Sequence, residues 1–302
     1  MKYLIILLSI IFIISCNDTV PLEIIELKYE NAALLTEIEI ELYRDMYIID
    51  STFYGITGNK DRVEVFNLGS GSRTTWGVTG YGPGEFISIH DVSYSENRLF
   101  FYDITKKSIE IFDRNHNYIK TLTPERNLIS FVAESDSSFY AIGFGMSEFS
   151  LLRFSGTNFS NIEYKHVEST RGPEESAALI SQNNGNILIS HVMTNMFSIF
   201  NTDTNRNSRV RNVRLPKQPN YTFVGEFRVP TGPIWHWGVI TDTFIYQIVR
   251  EKKSSTIYRF GFDGKMDRIY NLDFQAIRMI EYKDTFLFVT NNSLITFSKS
   301  KL

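Results

Sequence analysis

An apolar residue three places before a phenylalanine, inside a strand-like run, recurs six times along this chain. The copies are VEVF at 63–66, IEIF at 109–112, LLRF at 151–154, FSIF at 197–200, IYRF at 257–260 and LITF at 294–297. Such self-similarity marks supersecondary units that cannot bury their apolar faces alone and must stack on one another. The clearest unit is Arg98–Leu122, RLFFYDITKKSIEIFDRNHNYIKTL. Alternating apolar residues at Leu99–Tyr102 and Ile109–Phe112 predict two strands joined by the polar turn Thr105-Lys106-Lys107, and Tyr118–Leu122 predicts a third. Six such antiparallel meanders predict an all-β chain, a six-bladed β-propeller of four-stranded antiparallel blades. The repeat overrides the two-domain expectation that 302 residues would otherwise carry.

The ends of the chain predict how the ring closes. Three strands, Ala276–Tyr282, Thr285–Thr290 and Ser293–Ser298, precede the last residues, so the final blade needs a fourth. Ile38–Asp50 aligns with Ile89–Asp103, which makes Thr36–Leu42 the first strand of blade one and leaves Leu22–Tyr29 over. The expectation is that Leu22–Tyr29 closes the last blade and removes two sheet edges. Blade one would continue through Met46–Thr57, Arg62–Leu68 and Thr74–Val78, and the longest connection is Pro216–Pro233, before blade five. The propeller would span residues 22–302.

Composition supports a folded, strand-rich chain, with 14% aromatic and 22% charged residues. A net charge of −3 and the absence of a basic stripe argue against a nucleic-acid partner. At the N-terminus, Lys2, the apolar run Leu4–Ile14 and Ser15-Cys16 have the layout of an export signal, shorter than the ~18–20 apolar residues of a membrane span. Ile13-Ile14-Ser15-Cys16 resembles a bacterial lipobox, which implies cleavage of residues 1–15, acylation of Cys16 and a short tether over 16–21. Cys16 is the only cysteine, so no disulfide or cysteine metal site competes for it. Several acyl chains, at roughly 0.8 kcal/mol per buried methylene, would anchor a monomeric domain firmly. The expected place is the outer membrane, on its periplasmic or its outward side.

Between blades one and two lies Gly80-Tyr81-Gly82-Pro83-Gly84-Glu85-Phe86, echoed by Arg171-Gly172-Pro173-Glu174-Glu175 before blade four and Val224-Gly225-Glu226-Phe227 before blade five. Glycine permits positive φ, proline fixes φ, and the glutamate can accept backbone N–H groups, as a blade-to-blade crossing requires. No Lys-Ser/Thr and no helix follow, so the glycines do not make a phosphate loop. GYGPGEF followed by RLFFYDITKKSIEIFD resembles the crossing and blade of the TolB-like, NHL-related six-bladed propeller lipoproteins of Bacteroidota, sharply over about 76–122 and only in architecture elsewhere. That resemblance implies an exported, lipidated propeller. The partial loss of the motif before blades four and five implies an asymmetric site. Asp18-Thr19-Val20 and Asp50-Ser51-Thr52 resemble the short O-glycosylation acceptor of such bacteria.

The candidate site residues gather where crossings meet the starts of inner strands: Tyr81, Glu85, His90, Arg171, Glu226, Arg228, and the Trp235-His236-Trp237 run. They predict a polar and aromatic site for an envelope protein, a peptide or a glycan, with channel packing as the competing role. No His-x-x-x-His pair and no Gly-x-Ser-x-Gly occurs, and the residues give no cofactor and no catalytic motif. The alternative is a calcium-dependent hydrolase or lyase, lactonase- or esterase-like, with an ion in the central channel. Glu85, Asn183 and Asp242 would be its ligands, although Asn183 and Asp242 belong to turns predicted at the opposite face. A third possibility is a structural subunit of an envelope complex.

Overall fold

The computed structural model describes residues 22–37, 46–49, 51–56, 59–143, 150–155, 158–162, 178–191, 195–202, 211–216, 221–224, 227–230, 234–282, 284–290 and 293–301. Two strands come first, β1 (Glu23–Leu27) and β2 (Ala33–Glu37). Blade one is β3 (Met46–Ile49), β4 (Thr52–Ile56), β5 (Val63–Asn67) and β6 (Arg73–Trp76). Blade two is β7 (Ile89–Ser95), β8 (Arg98–Asp103), β9 (Ser108–Asp113) and β10 (Tyr118–Leu122). Blade three is β11 (Leu128–Ser135), β12 (Ser138–Gly143), β13 (Ser150–Ser155) and β14 (Asn158–Ile162), and blade four is β15 (Ala178–Asn183), β16 (Asn186–His191), β17 (Met196–Asn201) and β18 (Arg211–Arg214). A hairpin of β19 (Tyr221–Val224) and β20 (Phe227–Pro230) precedes blade five, which is β21 (Ile234–Ile240), β22 (Ile245–Arg250), β23 (Ser255–Phe260) and β24 (Met266–Leu272). Blade six contributes β25 (Arg278–Tyr282), β26 (Thr285–Val289) and β27 (Ser293–Ser298), completed by β2.

The six-fold signature falls on the third strand of every blade, and strand geometry explains its spacing. Side chains alternate faces, so residues three apart project to opposite sides of a sheet. The first residue of each copy packs toward the following blade and the phenylalanine toward the preceding one. Ile109 joins the core between blades two and three, while Phe112 joins the core between one and two. Leu151 and Phe154, Phe197 and Phe200, and Ile257 and Phe260 repeat this at the next junctions. Val63 lies between blades one and two, and Phe66 packs against the core that also holds Leu294 of blade six with Met46 and Phe53 of blade one. The first residues of the six copies are all fully buried. Each such side chain stabilises the ring by about 1.5–3 kcal/mol, so one motif stitches two interfaces at once.

The first strands of consecutive blades lie side by side around the axis, β3 by β7, β7 by β11, β11 by β15, β15 by β21 and β21 by β25. The guanidinium of Arg278 on β25 then donates to the carbonyl oxygen of Met46 on β3 at 3.1 Å, joining the last blade to the first. The result is a six-bladed β-propeller.

Closure uses the N-terminal segment, but a different strand of it than the alternation predicts. Ala33–Glu37, not Leu22–Tyr29, pairs antiparallel with β27 as the fourth strand of blade six. The earlier strand, Glu23–Leu27, adds to blade five instead, running parallel to β24 with Ile25 opposite Tyr270. Alternation establishes a half-buried strand and is silent about its partner. Ile25 and Leu27 turn into the core between blades five and six. The first strand of blade one is Met46–Ile49, not Thr36–Leu42. Within the stretch expected to be one second strand, Met46–Ile49 and Thr52–Ile56 instead pair antiparallel as two strands, with Met46 opposite Gly55. Residues 38–42 of the expected strand lie outside the described residues.

Candidate binding site at the blade crossings

The GYGPGEF crossing and blade two form a single polar and apolar unit. Phe86 is fully buried among Trp76, Phe101 and Phe112, with ring centroids 5.5–5.7 Å from its own, which fixes the end of the crossing. Glu85 Oε2 accepts the N–H of Gly82 at 2.7 Å, so the glutamate folds back over the loop that precedes it. A Cβ at Gly80 would lie 2.0 Å from that carboxylate oxygen, so a side chain there would displace the Glu85 carboxylate from its bond to Gly82. Gly84 has φ of +75°, and its N–H reaches Glu110 Oε2 at 3.0 Å.

Two buried carboxylates from the β8–β9 region hold this loop. Asp103 receives the N–H groups of Ile87 and Ser88 on one oxygen, at 2.6 and 2.9 Å, and those of Thr105 and Lys106 on the other, both at 2.9 Å. Glu110, on the blade-one side of β9 with Phe112, accepts from Gly84, from Ser108 Oγ at 2.8 Å and from Thr121 Oγ1 at 2.7 Å. Lys106 Nζ pairs with Glu110 and donates to the carbonyls of Gly82 and Glu85, each at 2.8 Å. Burial pushes the Glu110 carboxyl up, but the bonds from Lys106, Thr121, Gly84 and Ser108 together outweigh it and hold it below the usual carboxylate range. From this clamped loop Tyr81 projects with 74% of its surface exposed. A rigidly presented aromatic side chain loses little conformational freedom when a partner covers it.

His90 and Asp91 serve the junction between inner strands. His90 Nε2 donates to the carbonyl oxygen of Ile129 at 2.9 Å, and the ring meets Tyr102 edge-on. Asp91 is buried and accepts from Ser130 Oγ and from the N–H of Phe131, both at 2.8 Å. Ser130 Oγ in turn accepts the N–H of Ile180 at 3.3 Å, which links the inner strands of blades two, three and four. Inner strands of adjacent sheets splay apart, and these side chains satisfy backbone groups the ladders leave over.

The other predicted residues are placed less fully. Cys16, Arg171 and Glu226 lie outside the described residues, as do the first acceptor-like triplet at 18–20 and Asp50 of the second. Arg228 lies on β20 opposite Phe223, and Trp235, His236 and Trp237 lie on β21, with a β-bulge between Trp235 and Trp237. Glu85, Asn183 and Asp242 do not converge. The amides of Asn183 and Asn184 donate to Asp242 Oδ1 at 3.1 and 2.6 Å, in first-to-second-strand turns at the face opposite the crossings. No group of three or more His, Cys, Asp or Glu side chains gathers among the described residues. Lys106, Glu110 and Asp103, which hold the crossing, carry a faint sequence signal: Glu110 interrupts the apolar IEIF strand at an inward position.

No family model matches the chain, and no curated protein matches its sequence. Solved structures match its fold. A protein described as exported, from Bacteroides fragilis, is 12% identical with a TM-score of 0.56, covering 91% of this chain and 98% of that one. A member of the DUF4221 family from Bacteroides vulgatus is 7% identical with a TM-score of 0.57, over 88% and 96% of the two chains. YCF48, solved bound to the D1 peptide, is 11% identical with a TM-score of 0.54, over 92% and 98%. At these identities the likeness is one of fold.

Proposed function

We propose that this chain is an exported propeller, held at the outer membrane by acyl chains on Cys16, that binds a peptide or protein of the cell envelope through its crossing face. The observation that carries the reading is the clamped crossing: Lys106, Glu110 and Asp103 fix a loop whose tip presents Tyr81 to solvent. Exposed aromatics on rigid supports are the usual anchors of protein interfaces. Two structures of like fold were solved with a partner, YCF48 with the D1 peptide and nidogen with laminin, which supports a peptide or protein over a glycan. The proposed kinship with TolB-like, NHL-related lipoproteins is supported by the resemblance of GYGPGEF and RLFFYDITKKSIEIFD alone.

The test is site-specific photocrosslinking in envelope preparations. A photoreactive residue at position 81 should give a discrete adduct, whereas one at Lys265, in the opposite-face turn between β23 and β24, should not. Tyr81→Ala should weaken capture of the cross-linked partner without lowering thermal stability. Equal labelling from both positions would refute a partner site at the crossing. Cys16→Ala should release the protein from membranes, and retention without an acyl mass would refute the anchor.

A further inference from the structure

Outer strands of propeller blades are exposed sheet edges, and those of blades one and four are polar, RTTW on β6 and RNVR on β18. Polar edges of that kind discourage association with other chains. The outer strand of blade two, β10, exposes Tyr118 and Ile119 beside Lys120, and the N-terminal strands carry apolar exposure further. β1 reads EIIEL and β2 ALLTE, and they form the outer edges of blades five and six. Leu22, Ile24, Tyr29, Leu34 and Leu35 are five of the ten exposed large apolar side chains among the described residues, with Ile24 and Leu34 exposed by 60% and 56%.

We infer that this apolar rim of blades five and six rests on the lipid surface, so that the propeller lies against the membrane by that edge. The inference rests on the proposed acylation of Cys16. Leu22 lies six residue steps after Cys16, and a fully extended chain advances at most ~3.3–3.6 Å per step. Leu22 therefore stays within roughly 20 Å of the acyl-bearing residue, whatever course the tether takes. The rim is the part of the propeller nearest the bilayer, and its Leu and Ile side chains with Tyr29 have the apolar and interfacial character that a headgroup boundary accepts. Glu23 pairs with Arg268, and Glu26 accepts from Asn271, so those rim carboxylates are partnered as they near the lipid. The crossing that carries Tyr81, between blades one and two, is then two blade positions away round the ring and free to meet a partner.

The test uses the full, membrane-bound chain. Ile24→Cys, Leu34→Cys and, as control, the exposed crossing position Val78→Cys are labelled with a solvatochromic fluorophore; acylation of Cys16 leaves the new thiol as the only reactive one. Each protein is reconstituted into phosphatidylcholine vesicles with and without nitroxide-bearing lipid, and the mass of the N-terminal peptide is measured. The inference predicts acylated Cys16, blue-shifted emission at 24 and 34, and nitroxide quenching there at least threefold greater than at 78. Acylated Cys16 with equal quenching at all three sites overturns the rim contact alone. A blue shift at 24 and 34 without quenching overturns it too, and assigns the rim to another protein chain or a second copy. An unmodified Cys16 overturns the anchor and this inference together.

Discussion

Lys106 Nζ lies 2.7 Å from Glu110 Oε1, with 9% of the lysine side chain and none of the glutamate side chain exposed. Both belong to the Asp103–Phe112 hairpin, yet the ammonium also grips two carbonyls of the preceding crossing. Removing one member of a buried pair strands the other, at a cost of about 3–5 kcal/mol. Lys106→Met should therefore destabilise the chain by that order in urea titrations, and adding Glu110→Gln should restore part of the loss.

The same carboxylate sets an acid limit. Its folded pKa lies below the ordinary value, so the unfolded chain binds a proton first as the pH falls. Its contribution is complete above the unfolded value of about 4.3 and is lost as pH falls through the lower folded value. Glu110→Gln should show a shallower fall in unfolding midpoint below about pH 4.3 than the parent chain.

His116 predicts a second, milder pH dependence. Its ring stacks on Trp76 at 4.6 Å and meets Tyr54 edge-on, between blades one and two. Burial lowers its pKa, and the opposing pull of Asp113 does not restore it. The neutral ring is the folded form, so its contribution is full above about pH 6.5 and declines as pH falls below that toward the folded value. Because His116 has φ of +67°, Asn is the substitution that suits the backbone. Thermal midpoints between pH 7.5 and 5 should fall by a few degrees more in the parent than in His116→Asn.

Gly84→Ala should cost about 1–3 kcal/mol. The backbone is left-handed there, and the new methyl would sit 3.0 Å from the Tyr118 ring. A control at Gly71, also at positive φ but with no atom within 4 Å of an added Cβ, should be affected less.

Asp91→Ala leaves the N–H of Phe131 and the hydroxyl of Ser130 without their buried acceptor. Each stranded buried donor costs about 1–3 kcal/mol, and the damage should centre on the junction of blades two and three. Amide exchange of β7 and β11 should accelerate more than that of β22 and β23.

The third strands were legible because their apolar residue and phenylalanine serve two interfaces and must recur. The crossing was legible because glycines and a proline punctuate it. The pairing at the N-terminus was not: alternation marked Leu22–Tyr29 and Thr36–Leu42, and only the ring decides that Glu23–Leu27 runs parallel to β24 and that Ala33–Glu37 pairs antiparallel with β27. The β19–β20 hairpin hid inside a connection framed by prolines, since four-residue strands hold too few alternations to stand out. Of the site, Tyr81 and Glu85 were visible in the motif. The clamp of Asp103, Lys106 and Glu110 was not, because it joins the motif to a turn and strand some 20 residues later, a contact only the fold creates.

Both the crossing's architecture and the functional reading stand on the loop being held in place. Amide hydrogen exchange reads this directly at Gly82, Gly84, Ile87 and Ser88, whose N–H groups are bound by Glu85, Glu110 and Asp103. All four should exchange slowly, on the scale of strand amides, and Glu110→Gln should release Gly84 before the others. Exchange at the rate of open surface turns in the parent chain would contradict a held loop.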